Sequence, residues 1–254
     1  DKIFITSATR TAVATIGKAL KNISADKLGS CVIDNLLKKS NVNPDEIDEI
    51  IMGQVLTGGV GQNPARQAAV KSGIPKEKPA FVVNQVCGSG IRSIVSGYQS
   101  IKSKDSKIVI AGGQESMSLA PHAIHLRDGK KIGDKELIDT MIRDGLWDAF
   151  HGYHMGVTAE NVAEKFQVTR EEQDRFALKS QEKALSAQKQ GKFKEEIINY
   201  IIKSKKSEVN FNKDEHPREG TSFESLSRLK PVFKNKGTVT AGNASGLNDG
   251  AAAV

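Results

Sequence analysis

Over residues 1–117, short runs rich in β-branched and aromatic side chains alternate with stretches of helical period, and this alternation confines the chain to a layered α/β architecture. The β-rich runs fall at residues 3–8, 50–56, 81–84 and 108–111, each closing near Gly, Thr or Ser. Between them, Leu28, Cys31, Val32 and Leu36 share one helical face, and Ile91, Ile94, Val95, Tyr98 and Ile101 share another. Strand, helix and strand in succession imply parallel pairing with right-handed crossovers.

From about residue 118 to 245 the pattern changes to longer polar helices and loops, which reads as an insertion. Thr169-Arg170-Glu171-Glu172 forms a capping box that opens a helix running to about Gln190. The first pattern then returns, because Asn248-Asp249-Gly250 leads into Ala251-Ala252-Ala253-Val254, a run suited to a buried strand. Stopping inside that run, the sequence reads as part of a longer fold.

Composition narrows the class of protein. With 38% hydrophobic and 26% charged residues in 254, the chain supports one large or two modest globular domains and excludes disorder and collagen. Two cysteines, Cys31 and Cys87, cannot form a disulfide framework, and they point to a reducing, cytoplasmic setting. The net charge of +7 is spread along the chain. Its densest basic cluster, Lys203, Lys205 and Lys206, reads as a solvated turn rather than a nucleic-acid stripe, though a positive field suits an anionic small substrate. No apolar run is long enough for a membrane span.

The sharpest local signal is Phe81-Val82-Val83-Asn84-Gln85-Val86-Cys87-Gly88-Ser89-Gly90, a strand that turns through two glycines into a helix. A cysteine at a helix N-terminus is stabilised as thiolate by the free amides and the positive end of the dipole. The same amides can hold a developing oxyanion. Spacing alone leaves two other readings open: a small buried residue beside a structural turn, or a phosphate cradle, the latter without the Gly-Lys-Ser/Thr ending of a P-loop. Cys31 lies on the apolar face of its helix and reads as core. The pairs His122/His125 and His151/His154 lack the companions of a metal site, so no metal is expected. His154, inside Gly152-Tyr153-His154-Met155-Gly156, precedes a helix expected near Thr158, and its plainer reading is a loop histidine bonded to backbone. Residues 238–250 are small and turn-rich, open to backbone contact with an extended ligand, and Arg218 and Ser225 precede them in a polar segment.

Four motifs in order tie these pieces together: residues 83–90, Ala111-Gly112-Gly113-Gln114-Glu115-Ser116-Met117-Ser118, residues 152–156 with Thr158-Ala159-Glu160-Asn161, and residues 240–250. In this the chain resembles the thiolases, in detail their biosynthetic acetoacetyl-CoA branch. The resemblance implies a thiolase-like layered α/β fold, with residues 1–117 and 246–254 forming an N-terminal core half built on a mixed sheet. Residues 118–245 would be the inserted coenzyme A-binding loop domain. Cys87 resembles the nucleophile that takes the acetyl group from acetyl-CoA. Arg218 resembles the residue near the adenosine phosphates and Ser225 its neighbour. Leu146, His154, Met155, Phe233, Ala244 and Ser245 resemble the wall along adenine and pantetheine, and the His154-Met155 pair points to short-chain substrates. Coenzyme A thioesters enter as substrates, and no cofactor is implied.

The chain also departs from the family pattern. Thiolases carry an activating His and a second Cys in a C-terminal half that repeats the first; here no His follows His216 and no Cys follows Cys87. The resemblance therefore implies that the C-terminal half is absent, that the missing half is the chain's first partner, and that the chain alone condenses nothing. The intact protein would be a homo-oligomer, a tetramer or dimer. Ile16-Gly17-Lys18-Ala19 stands where relatives carry a Gly-rich, phenylalanine-containing turn. The competing readings are a degradative 3-ketoacyl-CoA thiolase, a non-catalytic acyl-CoA-binding half-thiolase, and a ketoacyl synthase-like condensing enzyme.

Overall fold

The structure, a computed structural model, describes residues 2–127, 129, 132–203 and 207–254. Its elements run β1 (Thr9–Arg10), β2 (Ala14–Thr15), α1 (Ala25–Ser40), β3 (Glu49–Gly53), α2 (Pro64–Lys71), β4 (Ala80–Val83), α3 (Ser89–Ser103) and β5 (Val109–Ser116). Next come, among the described residues, three pairs of short strands and three α-helices: β6 (His122–Ala123), β7 (Ile138–Asp139), β8 (Trp147–Asp148), β9 (Tyr153–His154), α4 (Met155–Phe166), α5 (Arg170–Lys189), β10 (Tyr200–Lys203), β11 (Glu208–Phe211) and α6 (Phe223–Ser227). The last strand is β12 (Asn248–Ala253).

Among the described residues the main sheet has six strands in the order β1-β12-β5-β3-β4, with β2 also on β12. The α-linked strands pair in parallel, β3 with β4 and with β5, as their crossovers require. β12 runs antiparallel to β5, β1 and β2, so the sheet is mixed.

Period-two alternation divides the sheet between two helical layers. Ile50, Met52 and Ile110 point into a core shared with Leu28, Val32, Ile33 and Leu36 of α1 and Ala65, Ala68 and Ala69 of α2. Each fully buried Leu or Ile there contributes about 1.5–3 kcal/mol. On the other face α3 lies over Gly53, Val109, Ala111 and Gly113. Helix α2 has no counterpart among the expected elements; Asn63 caps it through its side chain and Pro64 opens it.

Several expectations need correction. Residues 3–8 form no strand, and Phe4 and Ile5 are 73% and 66% exposed. The register bears on it: Thr9 pairs with Ala253, which sets Ala8 opposite Val254, and among the described residues none pairs with residues 3–8. Helix α3 buries Ser89, Ser93 and Gly97, while Ile91, Val95 and Tyr98 of the expected apolar face are exposed. Small residues win that face because the helix lies directly on the sheet: a Cβ on Gly97 would sit 3.1 Å from Val109, and Ser93 Oγ donates to the Gly112 carbonyl at 2.6 Å. β12 alternates instead of being buried throughout, with Ala251 and Ala253 covered and Ala252 exposed. Cys31 is half-buried at the core's edge, where burial pushes its thiol up.

The capping box opens α5 as expected, Thr169 and Glu172 exchanging hydrogen bonds. The segment from 118 to 245 is more strand-containing than polar helices and loops suggest, and Phe211 of its hairpin β10–β11, with Ile198 just ahead of β10, joins the same core as α1. Arg10 stitches β1 to this segment, gripping Asp214 through both terminal nitrogens (2.8 and 3.1 Å) and Glu196 through Nε (2.7 Å). In the basic cluster Lys203 lies in β10 with its ammonium 3.2 Å from Glu208; Lys205 and Lys206 lie outside the described residues.

Candidate active site

Cys87 sits in the turn between β4 and α3, two residues ahead of the helix, and its side chain is exposed. The reading of it as a small buried residue therefore fails. The turn is tightly bonded. Val86 N–H donates to Asn84 Oδ1 (2.9 Å), Gln85 N–H to Ser89 Oγ (2.9 Å), and Ser89 Oγ in turn to the Val86 carbonyl (2.5 Å). Val86 itself has φ +50°, a left-handed conformation that costs a β-branched residue about 1–3 kcal/mol. Among the described residues the Cys87 amide donates to no protein acceptor, so the amide and the helix N-terminus both remain available to an incoming oxygen.

Two glycines of the sheet set the height of this turn. A Cβ on Gly53 would stand 2.4 Å from the Ser89 carbonyl carbon, and one on Gly113 would lie 3.4 Å from Gly90 Cα. The first turn of α3, two residues past Cys87, thus rests on bare backbone of β3 and β5. Beside it, Glu115 closes β5 by accepting from the amides of Val55 (2.8 Å) and Leu56 (3.3 Å). Burial pushes the Glu115 carboxyl up despite those amides. Neither Ser89, Gly53 nor Glu115 was assigned a task from sequence; only Glu115 lies in a motif with an obvious anomaly, a carboxylate inside a β-run.

The remaining candidates fall into two groups. At the base of the β8–β9 hairpin, Trp147 pairs with His154, which brings Leu146 and Met155 to the same end. His154 caps α4: its Nδ1 accepts from Gly156 N–H (3.0 Å), so the ring carries its proton on Nε2. α4 accordingly starts at Met155, a turn earlier than expected, and the backbone-bonded reading of His154 holds. The imidazole stacks on Phe233, centroids 4.8 Å apart, a contact that Gly156 permits because any Cβ there would strike the Phe233 ring.

Arg218, Ser225 and Ala244 line a second feature, an open cleft of about 760 Å³ that Gln181, Leu229 and the 15–18 turn also border. The Arg218 amide is held by Gln181 Oε1 (2.9 Å) while its guanidinium has no partner among the described residues. Ser225 is otherwise engaged: its hydroxyl donates to the Ser222 carbonyl (2.8 Å) and accepts from Ser222 N–H (3.0 Å), capping α6. Ser245 is exposed beside Ala244. The 238–244 loop is clamped from below by Glu160, which is 4% exposed and accepts from the amides of Thr238 and Val239 and from Thr238 Oγ1, all within 2.9 Å. Burial opposes its charge, but these bonds outweigh burial and hold the carboxyl below the usual range. Asp174, fully covered, ties Arg170 (2.7 Å) and Asn243 (3.0 Å) into the same clamp.

Among the described residues no three His, Cys, Asp or Glu side chains converge as metal ligands. His151 bonds to Asp148 (2.9 Å), and His122 lies 3.9 Å from Asp139.

Comparison with known proteins then decides the family. The model of the thiolase N-terminal domain matches residues 3–254, essentially the whole chain. The chain belongs to the thiolase family. Among its relatives, an acetyl-CoA acetyltransferase of Rhizobium meliloti is 57% identical over 251 residues, and one of Shinella zoogloeoides is 54% identical over 251. Each match takes in 99% of this thiolase chain and 64% of the relative. A crystal structure of the Bacillus anthracis acetyl-CoA acetyltransferase superposes with a TM-score of 0.94 at 41% identity, covering 98% of this chain and 64% of that one. The thiolase chain thus spans about two thirds of the length of these relatives, and its mixed sheet with helices on both faces is the fold expected of the family.

Proposed function

We propose that this chain supplies the nucleophile and the coenzyme A-binding part of an acetyl-CoA C-acetyltransferase. The observation that carries the proposal is Cys87: an exposed thiol with an unspent amide, raised on a glycine bed at the N-terminus of α3. The names of its relatives supply the substrate, acetyl-CoA, which fits an extended anionic ligand with a thioester at one end and phosphates at the other.

In the first step the Cys87 sulfur attacks the acetyl carbonyl, the bond from that carbon to the coenzyme A sulfur breaks, and coenzyme A leaves as the thiol after taking up a proton. The Cys87 amide holds the oxyanion. In the second step the α-carbon of another acetyl-CoA, after losing a proton, forms a bond to the acetyl carbon, and the Cys87 thioester breaks to give acetoacetyl-CoA. Thiolysis is the same path reversed. The Arg218 cleft is proposed to hold the phosphates. His154, Met155, Leu146 and Phe233, with Ala244 and Ser245, are proposed to wall the rest of the ligand, Ser225 acting through the cap of α6.

The base for the first step and the acid and base for the second are proposed to come from sequence beyond these 254 residues, with this chain alone catalysing no condensation. Localisation in the cytoplasm is supported by two free thiols, and assembly as a homo-oligomer is proposed for the longer protein. Among the described residues no helix is long and apolar enough to cross a membrane.

The test is the intact mass of the chain after incubation with acetyl-CoA, with and without a separately produced C-terminal half from a relative, and a Cys87→Ser control. An acetyl adduct on Cys87 that appears with the added half supports the proposal. An adduct on another residue, or none in either case, refutes the assignment of Cys87.

A further inference from the structure

The cleft that holds Arg218 has a wall to which the family resemblance assigns no task, the turn at residues 15–18. Lys18 lines it, facing a space also bordered by His216 and Arg218. We propose that Lys18 is a second cationic contact for the phosphate groups of the ligand in this cleft, a specificity-determining residue beside Arg218. This rests on the reading above that the cleft takes the phosphorylated end of coenzyme A.

The first support is charge left over. Two of the carboxylates nearby are already engaged: Glu215 accepts from Thr15 N–H (3.0 Å) and Asp214 is taken by Arg10 and by Val13 N–H (2.7 Å), while the exposed Glu219 stands 4.0 Å from Lys213. Among the described residues, neither the Lys18 ammonium nor the Arg218 guanidinium has a hydrogen bond or ion pair, although both border the same cleft as two acids. Two unpaired cations of different shape, a point charge and a planar fork, can grip neighbouring phosphate oxygens from two sides.

The second support is preorganisation. The turn is short and locked: Lys18 N–H donates to the Thr15 carbonyl (3.0 Å) and Ile16 N–H to the Leu247 carbonyl (2.9 Å). Gly17, at φ +73°, donates to Ser118 Oγ (2.8 Å), and that hydroxyl donates to the fully buried Asp249 (2.5 Å). On the other side, Glu215 N–H donates to the Val13 carbonyl (3.0 Å), stitching the 214–218 segment to β2. Lys18 therefore hangs from backbone fixed relative to both the Arg218 segment and the 244–247 loop, so only its own side chain has to be ordered on binding.

Calorimetric titration of the 254-residue chain with coenzyme A and with pantetheine, which lacks the phosphates, tests this. Lys18→Ala is expected to weaken coenzyme A roughly 3- to 10-fold, the size of one charge-assisted contact at a part-exposed site, and to flatten the salt dependence. Pantetheine binding should not change, and Lys18→Arg should restore most of the loss. Because the side chain is exposed and unpaired, the melting temperature should stay within a degree or two of the parent. If Arg218→Ala weakens coenzyme A and Lys18→Ala does not, the proposal for Lys18 is wrong and the site stands. Equal losses for coenzyme A and pantetheine also overturn it, since the contact is then not to phosphate. If coenzyme A does not bind, or binds Arg218→Ala as tightly as the parent, the cleft itself has been misread and Lys18 falls with it.

Discussion

Replacing Gly53 by alanine probes how the sheet sets the position of Cys87. The added methyl would lie 2.4 Å from the Ser89 carbonyl carbon, 2.5 Å from its oxygen and 2.6 Å from Gly90 N. All three are backbone atoms of the first turn of α3, so no side chain can swing aside. Ordinary contact starts near 3.4 Å, which means the turn must rise by about 1 Å or β3 must sink by as much into a close-packed core. Overpacking of this kind costs roughly 1–3 kcal/mol. Cys87 lies between Ser89 and Val86, which Ser89 holds through its amide and its hydroxyl, so it moves too, and a 1 Å misplacement of a reacting group costs up to about 100-fold in rate. Thermal melting reads the first effect. The rate of Cys87 alkylation by iodoacetamide, well below both melting temperatures, and the yield of acetyl adduct with the added C-terminal half read the second. Gly145→Ala, whose methyl would meet only Leu56 at an ordinary 3.6 Å, is the control and should change neither. Unchanged melting in Gly53→Ala would show that the bed is soft. Lowered melting with unchanged adduct yield and alkylation would break the link from Gly53 to Cys87.

The clamp on the 238–244 loop should be sensitive to acid. The folded-state value of Glu160 is lowered, so its stabilisation is complete above the unfolded carboxyl's ordinary range and is lost as pH falls through the folded value. Glu160→Gln should cost roughly 1–3 kcal/mol at neutral pH, since its amide group cannot accept all the bonds, and should flatten the acid limb of a urea-midpoint against pH curve. An unaltered acid limb argues against the clamp. In the turn that holds Cys87, Val86→Asn should raise stability by about 0.5–1.5 kcal/mol in urea titration, because Asn tolerates the left-handed region and Val86 gives up little burial at 49% exposure. A loss of stability would mean that the turn stores no strain at that residue.

Helical period identified α3 and its length closely but assigned the wrong side to the core. Periodicity ranks faces by apolar area, whereas this helix lies so near the sheet that Ser89, Ser93 and Gly97 are the residues that fit. The run at 3–8 has strand composition, yet a strand needs a neighbour's backbone, and no residue of the described chain offers one there. His154 was legible as unusual from its flanking glycines, but its capping of α4 was not, because histidine is not among the residues that spacing rules expect at a helix start. Ser225 matched a motif position, and its hydroxyl proved to be spent on its own helix.

By itself the sequence determined the α/β class, the parallel strand–helix–strand order and the family, and it singled out Cys87 as a candidate, because these rest on local period and on contiguous motifs. Tertiary structure alone decided that Gly53 and Gly113 carry the helix start beside Cys87, that Glu160 and Asp174 clamp a loop some 70 to 80 residues away in sequence, and that Lys18 borders the same cleft as Arg218. The reason is physical: periodicity and motifs report what neighbours in the chain do together. Close approach of backbones and the meeting of charges such as Arg10 and Asp214, 204 residues apart in sequence, depend on how the layers pack.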